Sequence, residues 1–438
     1  MTKHYCLLLL TVLLSFHSSH AQFTIDAQLR PRTEFRNGSK ELNDPDVEPA
    51  LYTEQRTRLY VGFMQDKYEI KVTVQDVRMW GTTSQPYKAD PNNSVHLSEA
   101  WGMYHFSDDF SFKMGRMPIA YHNERFFGAS NWQPQGRSHD ALLLMYHKND
   151  LGLKADLGLA FNQNGFEPTL VQSTFYTGIV NYKYMQYIWL TKDFDKLSVN
   201  AMFVNNGYQQ AADSVTANLQ NYAVMLDYKI NDKLQLGGEA YYQGGKNVVN
   251  ADVSATMLGG YLTYKTDFAP FTLGVDYMSG TGYGSTSDHS FTPLFGSNHK
   301  FYGYMDYFYL ANPHRLQGET YGTGLVDIYL LSDWKLNENW ALKVNLHEFL
   351  SPVDIVDVND VSRQYSSTLG TEVDLVMAWK LDKAVTINLG YSQMFATESM
   401  EQIKGFVTGY NGDASAWNNW AWLMVDFHPQ LFKSEKNN

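Results

Sequence analysis

Apolar and polar residues alternate strictly along the first segment of the chain. Between positions 23 and 36, one face reads Phe23, Ile25, Ala27, Leu29, Pro31, Thr33, Phe35, and the other reads Thr24, Asp26, Gln28, Arg30, Arg32, Glu34, Arg36. Successive side chains of a strand point to opposite faces, so this pattern predicts a strand with one apolar and one charged face. The stretch is much longer than the roughly 5–6 residues of an average strand. A tilted strand that crosses a membrane accounts for that length.

Eighteen alternating segments follow one another, and they predict an all-β fold: a transmembrane antiparallel β-barrel of about 18 strands. They lie near residues 22–36, 51–64, 67–80, 96–106, 110–117, 138–148, 152–163, 179–192, 196–206, 217–229, 233–243, 254–266, 270–280, 321–336, 339–350, 366–381, 384–395 and 416–428. Short polar turns alternate with longer connections, the pattern of short periplasmic turns and long extracellular loops. An even strand number places both chain ends on the periplasmic side. One miscounted hairpin would give 16 strands.

The N-terminal residues have the features of a secretory signal peptide. A basic start precedes an apolar run over 5–16, and the small residues Ser19 and Ala21 precede a cleavage point before Gln22. The run is shorter than the roughly 20 residues that a spanning helix needs. The single cysteine, Cys6, lies in this signal, so the processed chain has no thiol. We predict a signal peptide over 1–21, an outer-membrane barrel over 22–428 and a C-terminal tail over 429–438.

The composition argues against other classes of protein. Aromatic residues make up 15% of the chain and charged residues 18%, with a net charge of −12. No segment after Ala21 approaches about 18 continuous apolar residues, so transmembrane helices are not predicted. The negative charge disfavours a nucleic-acid partner. An aromatic-rich exported chain of this kind is typical of a lipid-facing barrel.

Arginine is concentrated in the first third of the chain. Nine of the 11 arginines precede residue 138, namely Arg30, Arg32, Arg36, Arg56, Arg58, Arg78, Arg116, Arg125 and Arg137. Arginine pairs with carboxylates through two hydrogen bonds, and ladders of arginine in a narrow pore select anions. The alternative is structural ion pairing with nearby carboxylates. We predict that the substrate pathway in the lumen consists of these nine arginines with Glu34, Glu54 and Glu99.

The register of the first strands assigns a face to each residue. The predicted lumen face carries Arg30, Arg32, Arg56 and Arg58. The predicted lipid face carries Leu29, Leu59, Val61 and Phe63. In the third segment the apolar face would carry Asp76 and Arg78 toward lipid, at a cost of about 2–4 kcal/mol for a charge at mid-depth. A bulge near Gln75 would instead turn both charges inward and Val77 and Met79 outward.

Signals for enzymatic chemistry are weak. Ser138, His139 and Asp140 carry the residue types of a catalytic triad, but neighbours on a strand point to opposite faces and a triad must converge. Glu34, Glu54 and Glu99 are better explained as partners of arginine than as the paired carboxylates of a glycosidase. One predicted outer loop contains Asp354, Asp357 and Asp360. These carboxylates could share a calcium ion, but a solvated acidic loop without metal is the favoured interpretation. We predict no catalytic residue, no metal and no cofactor.

Several short stretches together resemble the alginate-export family of outer-membrane porins. They are residues 28–36, 54–59, 74–78, 99–101, 115–116, 135–141 and 419–423, and the resemblance is densest over 22–165. The resemblance implies an 18-stranded barrel with an arginine-lined pore that passes the polyanion alginate outward. Relatives of this architecture pass other anions or uronate-type sugars, so the resemblance leaves the substrate open.

The sequence as a whole predicts an outer-membrane channel for anionic polysaccharide or oligosaccharide, selected by the arginine wall and an inward-folded loop. The alternatives are a general or small-anion porin of the same fold and a barrel enzyme acting on lipid or sugar. We expect a monomer whose partners are outer-membrane lipid, an anionic sugar substrate and periplasmic polysaccharide-handling proteins.

Overall fold

A computed structural model describes residues 21–83, 94–163, 181–210, 216–308, 314–404, 406–407 and 410–434. The predicted signal peptide, apart from Ala21, lies outside these residues. The long strands are β1 (Gln22–Asn37), β2 (Ala50–Gln65), β3 (Tyr68–Met79), β4 (Val95–His105), β5 (Phe110–Met117), β6 (His139–Lys148), β7 (Leu153–Phe161), β8 (Tyr184–Asp193), β9 (Leu197–Gln209), β10 (Thr216–Lys229), β11 (Leu234–Lys246), β12 (Asp252–Lys265), β13 (Pro270–Met278), β14 (Leu325–Lys335), β15 (Trp340–Leu350), β18 (Thr368–Lys380), β19 (Val385–Ala396) and β22 (Asn418–Phe427).

Smaller elements lie in the long connections and at the C-terminus. They are the hairpin strands β16 (Val356–Asp357) and β17 (Asp360–Gln364), the helix α1 (Glu398–Lys404), the hairpin strands β20 (Phe406–Val407) and β21 (Tyr410–Asn411), and the strand β23 (Gln430–Lys433). Within the described ranges, no helix has the length and apolar character needed to cross a membrane.

The 18 long strands form a closed antiparallel barrel. Each pairs with the next along the chain, and β22 closes the ring by pairing with β1, where Thr33 lies opposite Leu423. The number predicted from the sequence is therefore confirmed, and the alternative of 16 is wrong. Closure matters because an open edge would leave unpaired backbone groups, which the hydrocarbon of a membrane does not tolerate.

Short and long connections lie at opposite ends of the barrel. The turn between β2 and β3 has only Asp66 and Lys67, and in a similar turn the side chain of Asn231 accepts hydrogen bonds from the backbone N–H groups of Lys233 and Leu234 at 2.9 and 3.0 Å. Such local side-chain acceptors stabilise tight turns. β1 begins and β22 ends at the short-turn side, as predicted.

The outer face of the barrel is apolar. Leu29 and Leu59 are exposed in the predicted orientation, and Trp340 stacks on Trp379 near the short turns with ring centroids 5.0 Å apart. A continuous apolar belt would be unfavourable in water but fits a lipid environment with an aromatic girdle.

The predicted inward turn of Asp76 and Arg78 is wrong. The pairing of β2 with β3 is continuous, and it places Arg78 opposite Gln55 on the outer face. The irregularity in register lies between β3 and β4 at Thr73, where β4 carries the extra residue, so β3 keeps its alternation. Arg78 binds the Asp76 carboxylate at 2.7 Å near the long-loop end, where an exposed charge costs little.

The predicted C-terminal tail contributes a strand of its own. After Phe427 the chain continues into β23, which pairs with the first residues of β1, with Thr24 opposite Lys433. The length of β1 explains this, because β22 covers only its second half and leaves backbone groups near Ile25 available to β23.

Two long connections fold into the lumen and form the buried core. Residues 118–138 connect β5 to β6 and are called the strap below. Residues 279–324, described except for 309–313, connect β13 to β14 and are called the inner loop. The two lie together, with the N–H of Gly128 donating to the carbonyl of Phe295 at 2.8 Å, and Phe127 stacks on Phe295.

Candidate functional site

Arginines of β1 and β2 form one wall of the lumen. The antiparallel register sets Arg30 directly opposite Arg56 and Arg32 opposite Glu54, all on the inner face. Arg30, Arg32 and Arg56 are only 7%, 5% and 1% exposed. They are therefore covered by other groups instead of standing free in the lumen.

Part of this arginine wall is neutralised by carboxylates. Glu34 accepts hydrogen bonds from Arg32 at 2.8 Å and from Arg36 at 2.9 Å, and Trp420 donates to it at 3.0 Å. Arg32 also pairs with Glu54. For Arg32 and Arg36 the structural interpretation, ion pairing, is therefore correct.

The remaining arginines of the wall bind neutral oxygens. Within the described residues, Arg30, Arg56 and Arg58 form no ion pair. Arg30 donates to the backbone carbonyls of Asn131 and Trp132 at 2.9 and 3.1 Å. The partners of Arg56 are the side chains of Asn131, at 2.9 Å, and of Gln28, at 2.7 and 3.0 Å, and those of Arg58 are the Gln75 side chain and the Gln135 carbonyl. Three positive charges thus have no carboxylate partner in the part of the chain that the structure describes.

The strap reaches the arginine wall through Trp132. The guanidinium of Arg32 lies 3.9 Å from the centre of the Trp132 ring, and His299 of the inner loop stacks on the same ring at 4.1 Å. Trp420 and Trp422 of β22 meet the ring edge-on at 5.7 and 4.9 Å. Aromatic groups therefore lie beside the cations where the strap meets the arginine wall.

The other end of the strap is fixed by Arg125. This buried guanidinium pairs with Glu239 at 2.6 Å and with Asp276 at 2.8 Å, and donates to the Tyr302 hydroxyl at 2.7 Å. Burial alone would lower the pKa of Arg125, but the carboxylates of Asp276 and Glu239 outweigh it and raise that pKa above its ordinary value. The strap consequently spans the lumen from one wall to the other.

Another part of the lumen wall, called the acidic wall below, carries buried carboxylates. They come from β11, β13, β14 and β18, as Glu239, Asp276, Asp327, Glu372 and Asp374. Backbone N–H groups of the inner loop donate to two of them, from Met305 to Glu372 at 2.8 Å and from Tyr304 to Asp374 at 3.3 Å. These carboxylates were not among the predicted site residues, although the same alternation that marked β1 would have placed them inward.

Cavities remain on both sides of the strap. One of about 290 Å³ lies between the strap and the inner loop, beside Trp132, His299 and Lys300. Another of about 230 Å³ lies beside Arg125 and Asp276 on the acidic wall. The strap and the inner loop therefore occupy part of the lumen and leave these two cavities beside them.

The other predicted pathway residues are distributed differently. Arg137 lies in the strap and donates to the carbonyl of Gly296 at 2.9 Å. Glu99 pairs with Lys71 at 3.1 Å and accepts from Trp101 at 3.1 Å, so its cation is a lysine and not the predicted arginine.

Arg78 and Arg116 are corrections to the predicted lumen set, because both lie on the outer face. Arg116 has the same parity along β5 as the exposed Met114, and it pairs with Asp140 at 2.9 Å. The alternation of apolar and polar residues along β3 and β5 would have placed both arginines on the outer face.

The residues of the nominal triad do not meet. His139 is buried and contacts the Tyr182 hydroxyl at 2.7 Å, Asp140 is on the outer face with Arg116, and Ser138 donates to the carbonyl of Ser98 at 2.6 Å. In the described part of the chain, no three His, Cys, Asp or Glu side chains are arranged to hold a metal ion.

Solved structures of outer-membrane channels share this architecture. Acinetobacter baumannii OccAB1 matches with a TM-score of 0.60 at 10% identity, over 94% of this chain and 97% of that one. Pseudomonas aeruginosa OpdL matches with a TM-score of 0.58 at 13% identity, over 94% and 99%. Pseudomonas aeruginosa OpdK, solved with vanillate, matches with a TM-score of 0.56 at 9% identity, over 93% and 98%. At these identities the likeness concerns the fold.

A family model gives the more specific result. A comparison with curated proteins found no significant match, whereas the model described as "Alginate export" matches residues 21–410, most of the chain. The channel architecture of the solved neighbours agrees with that match. The chain is thus an outer-membrane channel and belongs to the alginate export family.

Proposed function

We propose that this channel passes anionic saccharides, as a single polysaccharide chain or as oligosaccharides of the uronate type, along the arginine wall. The observation that carries the proposal is the set of three inward arginines, Arg30, Arg56 and Arg58, that have no ion-pair partner among the described residues. Family membership supports the same class of cargo.

The chemistry of the wall suits a uronate. A guanidinium offers paired N–H donors that match the two oxygens of a carboxylate, and such charged hydrogen bonds are about twice as strong as neutral ones. Arg30 and Arg56 lie opposite each other on adjacent strands, so their donors converge on one region. A carboxylate there would form charge-assisted bonds with guanidinium groups that now bind neutral oxygens.

The aromatic side chains beside the arginines suit the rest of a sugar. Trp132, Trp420 and Trp422 contact one another within about 6 Å, next to Arg32. Sugar rings present apolar faces that pack on indole rings, while their hydroxyl groups accept and donate hydrogen bonds. Charged and aromatic groups thus lie at the same level of the lumen, where Trp132 is half-buried and Trp420 and Trp422 are buried.

The alternation of short turns and long connections supports one orientation of the barrel in the membrane. We propose that the short turns and both chain ends face the periplasm, that the long connections face the outside, and that a signal peptide over 1–21 directs export. Periplasmic polysaccharide-handling proteins would then meet the short-turn side. The chain would act as a monomer because its lumen is complete within one barrel.

The test uses proteoliposomes that contain trigalacturonate and the uncharged galactotriose together. Wild type should release the acidic trisaccharide faster than the neutral one. Replacing Arg30, Arg56 and Arg58 by glutamine should bring the two rates together, because the carboxylate loses its charged donors. Arg116→Gln, an outer-face arginine, is the matched control and should behave like wild type. Equal release of the two trisaccharides by wild type would contradict the proposal.

A second candidate is a channel for small organic anions. The strap and inner loop narrow the lumen, and one solved neighbour, OpdK, was crystallised with vanillate, a small carboxylate. Monomeric galacturonate in the same liposomes separates the two: release of the monomer without release of trigalacturonate would favour the second candidate.

A further inference from the structure

The strap offers its oxygens to the arginine wall as a carboxylate would. The two terminal nitrogens of Arg30 bind the carbonyl oxygens of consecutive residues, Nη1 to Asn131 at 2.9 Å and Nη2 to Trp132 at 3.1 Å. Arg32 binds the same Trp132 carbonyl at 2.9 Å, and Arg56 contacts both oxygens of Asn131, at 3.3 and 2.9 Å. Three guanidinium groups thus converge on the oxygens of two strap residues.

In these contacts, positively charged guanidinium groups bind neutral oxygens. Arg30 and Arg56 are buried, and within the described residues neither forms an ion pair. Asp426 is linked to Arg56 through the side chain of Gln28. The Gln28 amide nitrogen donates to the Asp426 carboxylate at 2.9 and 3.1 Å, and the Gln28 amide oxygen accepts from Arg56. A buried charge is expected to be paired, and neutral carbonyls are weaker acceptors than a carboxylate. The arginines therefore hold the strap, although a carboxylate would be a better acceptor for them than the strap oxygens.

We infer that the strap is a gate that an anionic ligand opens by competition, with the carbonyls of Asn131 and Trp132 occupying the carboxylate site in the closed channel. This inference rests on the proposed function and adds its regulation. A ligand shifts such an equilibrium only by its differential affinity for the two states. Here a carboxylate binds only when residues 131–132 have left the arginines, so binding and opening are the same event.

Movement of the strap can be local. Its far end stays anchored by Arg125 on Glu239 and Asp276, while the near end depends on the arginines and on the Trp132 stack with His299. Release of Trp132 would join its space to the neighbouring cavity of about 290 Å³. The opening would therefore form directly beside the aromatic side chains and the freed arginines.

A buried serine on the strap reports the release. Ser130 is 4% exposed and adjacent to Asn131, and the only native cysteine is Cys6, within the predicted signal peptide. The full chain carrying Ser130→Cys, in detergent, is treated with a water-soluble maleimide. The matched control is Ser399→Cys, a serine that is equally buried in α1, away from the strap.

Trigalacturonate at saturation should accelerate labelling of the Ser130→Cys variant by about tenfold or more, the ratio expected for a ligand that shifts a mostly closed population. Galactotriose should have no effect, and the Ser399→Cys control should label at one rate throughout. In an added Arg30→Gln, Arg56→Gln background, labelling should be fast without ligand and insensitive to it. Folding of each variant is verified by the heat-modifiable mobility of the barrel on gels.

The outcomes separate the two proposals. If trigalacturonate is released selectively from liposomes but leaves labelling of the Ser130→Cys variant unchanged, the gate is refuted and the channel function stands. If galactotriose accelerates labelling as much as trigalacturonate does, the idea that a carboxylate competes with the strap for the arginines is refuted. Without selective release, the proposed function itself fails, whatever the labelling rates.

Discussion

Buried arginines of this protein fall into two kinds according to their partners. Arg125 is enclosed by two carboxylates and a tyrosine hydroxyl, whereas Arg30 and Arg56 are enclosed by carbonyl oxygens. The first arrangement is locked, because removal of either partner would leave a buried charge unpaired. In the second arrangement the carbonyl oxygens can be replaced, because any carboxylate is a better acceptor for the guanidinium groups than a neutral oxygen.

Arg125→Met should lower the free energy of unfolding by about 3–5 kcal/mol, since Glu239 and Asp276 would remain buried without their cation. Equilibrium unfolding in urea, in detergent micelles, measures the change. Arg116→Met removes an exposed ion pair and should cost no more than about 1 kcal/mol. Similar losses for the two variants would show that Arg125 is not the anchor of the strap.

At the scale of elements, the strap is held by different chemistry at its two ends. The arginine wall binds 131–135, and His122 binds Asp227 of β10 at 2.8 Å near the other end. Burial would lower the pKa of His122, but the hydrogen bond and charge of Asp227, with Glu239 nearby, outweigh it and raise that pKa. This anchor is therefore sensitive to pH.

The sign of that sensitivity follows from the raised pKa. A histidine whose folded pKa is above its unfolded value stabilises the docked strap fully at low pH, and the contribution is lost as pH rises through the folded pKa. Equilibrium unfolding in urea, in detergent micelles, should therefore give a larger free energy of unfolding at pH 6 than at pH 8.5. His122→Gln should remove the difference. An equal pH response in the variant would assign the effect to another group.

The strands and the presence of an inward-folded loop were predictable, whereas the identity and contacts of the two loops inside the barrel were not. Lipid on one side and the lumen on the other impose an alternation that Leu29, Arg30 and their neighbours display in the sequence. The strap has no such constraint, because its position depends on contacts such as Trp132 with His299, which are 167 residues apart in sequence and carry no local pattern. The contacts of Arg30, Arg32 and Arg56 with the strap could not be predicted from the sequence for the same reason.

At the scale of the whole molecule, charges of both signs are distributed unevenly around the lumen. The chain has a net charge of −12, yet its inner surface has arginines on β1 and β2 and carboxylates on β11, β13, β14 and β18. Charges within a confined lumen act over distances comparable with the Debye length of about 8–10 Å at physiological salt. Ion selectivity should therefore depend on the few arginines without carboxylate partners more than on the total charge.

The reversal potential of single channels in a potassium chloride gradient tests this most directly. Wild type should reverse on the anion-selective side, more strongly at low salt because screening is weaker. Replacing Arg30, Arg56 and Arg58 together by glutamine should shift reversal toward cations, since the carboxylate wall then dominates, while Arg116→Gln should leave it unchanged. Coincident reversal potentials for wild type and the triple variant would contradict the account and make these arginines purely structural.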